Sequence, residues 1–183
     1  MRAFVAVEVP EEIRKGLWRA AEELSGSGAS IVSEENMHVT LAFLGETGES
    51  EIARIKHALY GLGFKAFDAE IRGIGIFDPG MPRVAFGCIS RGREGFLGLH
   101  SEALRLIKES GIAISPKTAR EEYVPHVTLA RFRRAPDRKK LTDIVKKYED
   151  HAFGRFGVTG IKLKGSAIAE EGPTYSDLGE FEF

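Results

Sequence analysis

The pentapeptide HVTLA stands at 38–42 and again at 126–130, its two histidines 88 positions apart. Accident produces a five-residue repeat in a chain of this length about one time in a hundred, so the sequence reads as a duplicated unit. The flanks agree in kind. A short apolar stretch and a polar loop precede each copy, "ASIVSEEN" before the first and "IAISPKTAREEYVP" before the second. A helical pattern follows each one. Ser50 is placed to cap a helix carrying Ile52, Ile55, Leu59 and Leu62 on one face, and Pro136 to open one carrying Leu141, Ile144, Val145 and Tyr148. Then comes a strand, "IRGIGI" at 71–76 and "VTGIKL" at 158–163.

The match extends upstream. "FVAVEV" leads into a helix at about 11–24 and "RVAFGCIS" into one at about 94–110, with "DPGMPR" at 78–83 as the turn between halves. The expectation is an α+β fold: one bilobal domain over 1–183, a pseudo-twofold duplication of a β-α-β-β-α-β unit over about 1–80 and 81–183. Antiparallel or mixed sheets line a central cleft, helices lie outside, and the two HVTLA strands face each other.

Residues alternate faces along a strand, so His38, Thr40 and Ala42 should share one face and His126, Thr128 and Ala130 the matching one. Val39, Leu41, Val127 and Leu129 supply the core. A core has no use for the histidine and threonine. Two imidazoles across a twofold cleft suit in-line displacement at phosphorus, where nucleophile and leaving oxygen lie on opposite sides and need a base and an acid. Imidazole titrates near pH 6.5, so one ring accepts a proton while the other donates. The hydroxyls of Thr40 and Thr128 can donate to the non-bridging oxygens. The pseudo-symmetry leaves open which histidine does which.

Paired His-x-Thr motifs, "MPRVAFG" between them and "VPHVTLARF" in the second copy resemble the two-histidine phosphoesterase superfamily, and within it the RNA 2′,3′-cyclic phosphodiesterases historically called 2′-5′ RNA ligases. The resemblance spans nearly the whole chain. It implies hydrolysis of a terminal 2′,3′-cyclic phosphate on RNA or a nucleotide to a 2′-phosphomonoester, with reverse 2′-5′ ligation as a companion activity. It makes His126 the base that activates water, His38 the acid on the leaving 3′ oxygen, and Thr40 and Thr128 the phosphate holders. It also brings Arg131 near the phosphate, although strict alternation puts Arg131 on the wrong face unless a strand end or bulge intervenes. Phe43 and Phe132 are candidates to stack on a base.

Other features bound the reading. Twenty-six basic and 27 acidic residues balance, so an anionic partner needs a local patch, and "RFRRAPDRKK" at 131–140 offers one at the cleft rim. His57 and His100 fall in helical patterns away from the repeat face and read as structural; His151 reads as an exposed loop residue. No metal-ligand spacing or P-loop is present, so neither metal nor cofactor is expected. Cys88 reads as a buried strand residue, and a single cysteine, no signal-like stretch and no long apolar run suggest a cytoplasmic monomer without a membrane partner. The segment 111–125 reads as a lip on the cleft. Two other readings stand beside this one: the same chemistry on a small cyclic nucleotide or a 2′-5′ oligonucleotide, and a binder that holds phosphate without turning it over.

Overall fold

The computed structural model describes residues 1–26, 28–115, 118–119, 122–169 and 172–183. The elements run β1 (Arg2–Glu8), α1 (Glu11–Glu22), β2 (Ala29–Ile31), a 3-10 turn (Glu34–Asn36), β3 (His38–Glu46), α2 (Glu49–Leu59), β4 (Phe67–Phe77) and β5 (Val84–Arg91). They continue with α3 (Arg93–Glu109), β6 (His126–Phe132), α4 (Arg138–Lys147), β7 (Ala152–Val158), β8 (Gly160–Ala169) and β9 (Gly172–Glu182). The duplicated α+β plan is there, but the strands of both halves join one antiparallel sheet, ordered β7-β4-β5-β6-β3-β1-β8-β9, with β2 also on β6. The last strand of each repeat crosses over: β4 pairs with β5, the opening strand of the second repeat, and β8 pairs with β1, the opening strand of the first.

The HVTLA strands therefore lie side by side at the sheet centre, where Val39 pairs with Val127. On one face, Val5, Val7, Val39, Leu41, Val127 and Leu129 are buried together with Ile13 and Leu17 of α1 and Phe96, Leu99, Ala103 and Ile107 of α3. Burying each large side chain in that layer stabilises by roughly 1.5–3 kcal/mol, which is why the helices show the 3–4 residue apolar spacing. The opposite face is left for the cleft.

Three local details differ from the sequence reading. Helix α2 begins one residue before Ser50; Gly48 precedes it, and the Gly48 N–H donates to Glu51 Oε2 at 2.8 Å, a glutamate reaching back to the helix start. Pro136 lies one residue ahead of the α4 cap, Asp137, whose Oδ1 accepts from the Lys140 N–H at 3.1 Å. "VTGIKL" is broken between β7 and β8 at Thr159, and β7 and β9 are strands that the sequence reading does not contain. The first is punctuated by Gly154 and Gly157, the second is rich in Gly, Pro and acidic residues, and such residues carry little strand signal on their own. Among the described residues no helix is long and apolar enough to cross a membrane. The segment expected to form a lip falls partly outside the described residues.

Candidate active site

Each HVTLA strand carries a bulge at its leucine. Across from β1, Ala6 pairs with Thr40 and Val5 with Ala42, leaving Leu41 extra; across from β5, Phe86 pairs with Thr128 and Ala85 with Ala130, leaving Leu129 extra. A bulge resets the alternation. Consequently Ala42 and Ala130 are buried at 2% and 0% exposure, not on the histidine face as alternation alone requires. The residue two steps past each bulge swings to the cleft: Arg131 is exposed and Phe43 half-buried, and both line the cavity. Phe132 takes the core side instead, 3% exposed.

The bulges also free two carbonyls, and both are satisfied. Leu129 O accepts from the Val32 N–H at 2.9 Å, while Leu41 O accepts from His100 Nδ1 at 2.7 Å. Next to the first bulge, the Thr118 hydroxyl accepts from the Phe43 N–H at 3.0 Å and donates to the Phe43 carbonyl at 2.9 Å. In the other half β2 does the same by main chain, Ser30 pairing with Arg131. Thr118 thus replaces a strand.

The Val39–Val127 pair, carried one residue either way in antiparallel register, sets His38 across from Thr128 and Thr40 across from His126. His126 Nδ1–H donates to the Val124 carbonyl at 2.7 Å, which fixes the tautomer and orients the ring. Phe77 and Phe86, stacked on each other at 4.2 Å, present edges to the His126 ring at 4.9 and 5.4 Å between centroids. Gly75 permits this: a Cβ there would sit 2.6 Å from the Phe86 ring.

His38 has a different setting. Its ring stacks on Phe4 at 5.0 Å, with Tyr175 edge-on at 5.5 Å, and it hydrogen-bonds the Asn36 backbone. Burial, then the Lys164 ammonium, push its pKa down to about 4; Glu8 and the Asn36 bond act in the opposite direction and do not cancel this. At neutral pH His38 is an uncharged imidazole.

A cavity of about 440 Å³ joins Thr40, Thr128, His126 and Arg131 to Phe43, His100, Thr118, Glu122 and Tyr123 on one side and to Phe77, Asp78 and Arg83 on the other. His100, read from the sequence as structural, therefore lines the site. Its ring lies flat on Tyr123, centroids 4.0 Å apart and planes 5° apart, and burial lowers its pKa. Burial likewise raises that of Tyr123, whose hydroxyl is buried without a hydrogen-bond partner among the described residues. The sequence reading did not single out Tyr123, Thr118, Phe77 or Asp78 as site residues, although Thr118 and Tyr123 fall in the segment read as a lip and Asp78, with φ 53°, opens the turn read between the halves. Cys88 is half-buried, pairing across from His126, and not a core residue. His57 and His151 are exposed, away from the cavity. Among the described residues no three His, Cys, Asp or Glu side chains are grouped to hold a metal ion.

Residues 7–86 and 101–175 match the family model described as LigT like Phosphoesterase. An RNA 2′,3′-cyclic phosphodiesterase of Archaeoglobus fulgidus is 38% identical over 185 residues, covering all of both chains. One of Thermotoga maritima is 33% identical, covering all of this chain and 96% of its own. The crystal structure of TT0787 of Thermus thermophilus superposes with a TM-score of 0.76 at 31% identity, covering all of this chain and 97% of that one.

Proposed function

This chain belongs to the LigT-like phosphoesterase family, and on that premise we propose that it hydrolyses the terminal 2′,3′-cyclic phosphate of RNA to a 2′-phosphomonoester, as a cytoplasmic, monomeric two-lobed enzyme. The observation that carries this reading is the antiparallel Val39–Val127 register, which supports it by setting the two His-x-Thr motifs on adjacent central strands, with Thr40, His126 and Thr128 lining the cavity and His38 half-buried behind it. His126 takes a proton from water as its oxygen attacks phosphorus; the P–O3′ bond breaks, and the departing O3′ takes a proton from His38. The donors for the phosphoryl oxygens are the hydroxyls of Thr40 and Thr128 and the guanidinium of Arg131, whose cleft-side position supports the role that alternation denied it. Phe43, which lines the same cavity, is placed to stack on a base.

Because His38 is neutral at rest, it reaches its acid form by taking up a proton as the phosphate anion docks, since a nearby negative charge favours imidazolium. The same neutrality also favours a second reading in which the roles are exchanged. Leaving groups separate the two. An acid matters only when the departing oxygen is a poor leaving group, whereas the base is needed whatever departs. His38→Ala should therefore lose about 10²–10⁴-fold on a ribose cyclic phosphate and far less on a diester expelling nitrophenolate, with His126→Ala impaired on both; rescue of His126→Ala instead establishes the exchange. Following a cyclic-phosphate RNA by ³¹P NMR identifies the product. Turnover should persist in excess EDTA, and loss restored by a divalent ion would remove this mechanism.

A further inference from the structure

The two half-sites are built on matching strands yet carry opposite chemistry. Glu8 is the cross-strand partner of His38, and Cys88 is that of His126. Ala6 lies across from Thr40, Phe86 across from Thr128. One strand further out, β8 sets Lys162 across from Ala6 and Lys164 across from Phe4, while β4 sets Gly75 across from Phe86 and Phe77 across from Val84. The 87-residue offset that aligns the repeats equates Lys162 with Gly75 and Lys164 with Phe77.

On the His38 side four charges close into a ring. Lys164 Nζ lies 2.8 Å from Glu8 Oε1 and 2.7 Å from Asp177 Oδ1; Lys162 Nζ lies 3.3 Å from Glu8 Oε2 and 2.8 Å from Asp177 Oδ2. Lys164 is only 8% exposed. Burying the Lys164 ammonium carries a desolvation cost that its pairing with the more exposed Glu8 and Asp177 carboxylates offsets, and the equivalent position in the other half is filled by stacked phenylalanines. The fold can be built without charges there.

We propose that this ring is the positioning device that makes the two histidines inequivalent: the Lys164 ammonium, clamped between Glu8 and Asp177 two strands out from His38, adds a fixed charge to the apolar burial of that half-site and so assigns the two half-sites to different steps of the reaction. The groups facing His38 come from every strand around it: Glu8 of β1, Lys164 of β8, Tyr175 of β9 and His126 of β6, with Lys162 and Asp177 holding Glu8 and Lys164 in place. A fixed ammonium opposes a second positive charge on the imidazole and a carboxylate favours it, so Lys164 and Glu8 pull in opposite directions. The clamp holds both charges in place, keeping the balance constant while substrate enters. The catalytic half of the assignment rests on the hydrolytic reading above; the electrostatic half does not.

Histidine ring resonances titrated by NMR in the full, substrate-free chain test the electrostatic half. Lys164→Met should move the His38 midpoint up by about one unit or more, and Glu8→Gln should move it down, with the His126 midpoint left in place by both. Lys164→Arg, which restores the charge, should return His38 towards its original midpoint. Glu8→Gln is nearly isosteric and keeps the test readable if Lys164→Met folds poorly. Shifts of the same sign in both variants, or equal shifts at His126, overturn the proposal. The catalytic half is read from kcat/KM against pH: the limb that disappears in His38→Ala should move with the NMR midpoint in Lys164→Met. A limb that stays while the midpoint moves overturns the link to catalysis, whatever the status of hydrolysis itself.

Discussion

At the scale of single residues, the histidine and threonine of each motif are legible in the sequence because a half-buried strand has no structural need of them, while their chemical state is not. His38 shows this. Its pKa near 4 comes from burial against Phe4 and Tyr175 and from Lys164, 126 positions away. The depressed value has a sign that can be worked out: between pH 6.5 and about 4 the unfolded chain binds a proton at this position that the folded chain does not. The resulting stability is present above pH 6.5 and is lost as pH falls towards 4, by about 3 kcal/mol. Urea unfolding at pH 7, 6 and 5, above most carboxylate titration, should show this decline in the wild type and a shallower one in His38→Asn. Parallel curves would mean that His38 is as readily protonated folded as unfolded.

At the scale of elements, helices α1 and α3 and strands β1, β3, β5 and β6 were readable from apolar spacing, since each buries one face. The bulges were not. Nothing in HVTLA distinguishes the leucine that is skipped, because the skip is decided by how β1 and β5 pair past Thr40 and Thr128. Yet that skip turns Phe43 and Arg131 into the cleft and Phe132 out of it. The Thr118 hydroxyl holds the turned segment from the chain ahead of β6, so Thr118→Val, which removes the hydroxyl at nearly constant volume, should raise KM for a cyclic phosphate several-fold with kcat little changed, and Thr118→Ser should restore it. A fall in kcat alone would mean that Phe43 is not a binding residue. On the other strand pair, Gly75→Ala drives a Cβ against the Phe86 ring. Overpacking of this kind typically costs about 1–3 kcal/mol, and here it pushes the ring towards His126, so kcat/KM should fall together with stability. An Ala variant with full activity and unchanged unfolding midpoint would show that Phe86 has room to retreat.

At the scale of the whole molecule, the basic segment after β6 is the feature that reaches beyond the cavity. Arg133, Arg134 and Lys139 are exposed, whereas Arg138 and Lys140 donate to the carbonyls of Gly80 and Ser25 and brace the surrounding turns. Reversing Arg133, Arg134 and Lys139 to Glu should weaken binding of a long RNA and flatten its salt dependence while a dinucleotide cyclic phosphate is turned over nearly as before. Equal losses on both substrates would place the segment in the active site proper. The duplication, the helix faces and most of the core were determined by the sequence alone, and the four motif side chains were singled out there, because periodic burial and a repeated polar pair are local properties that survive in one dimension. The crossover of β4 and β8 between halves, the bulges that aim Arg131 and Phe43, the His100–Tyr123 wall and the Glu8–Lys164–Asp177–Lys162 ring were decided only in the folded sheet. Each of these depends on which strand lies beside which, and in what register, and that is settled by the joint packing of residues up to 169 positions apart.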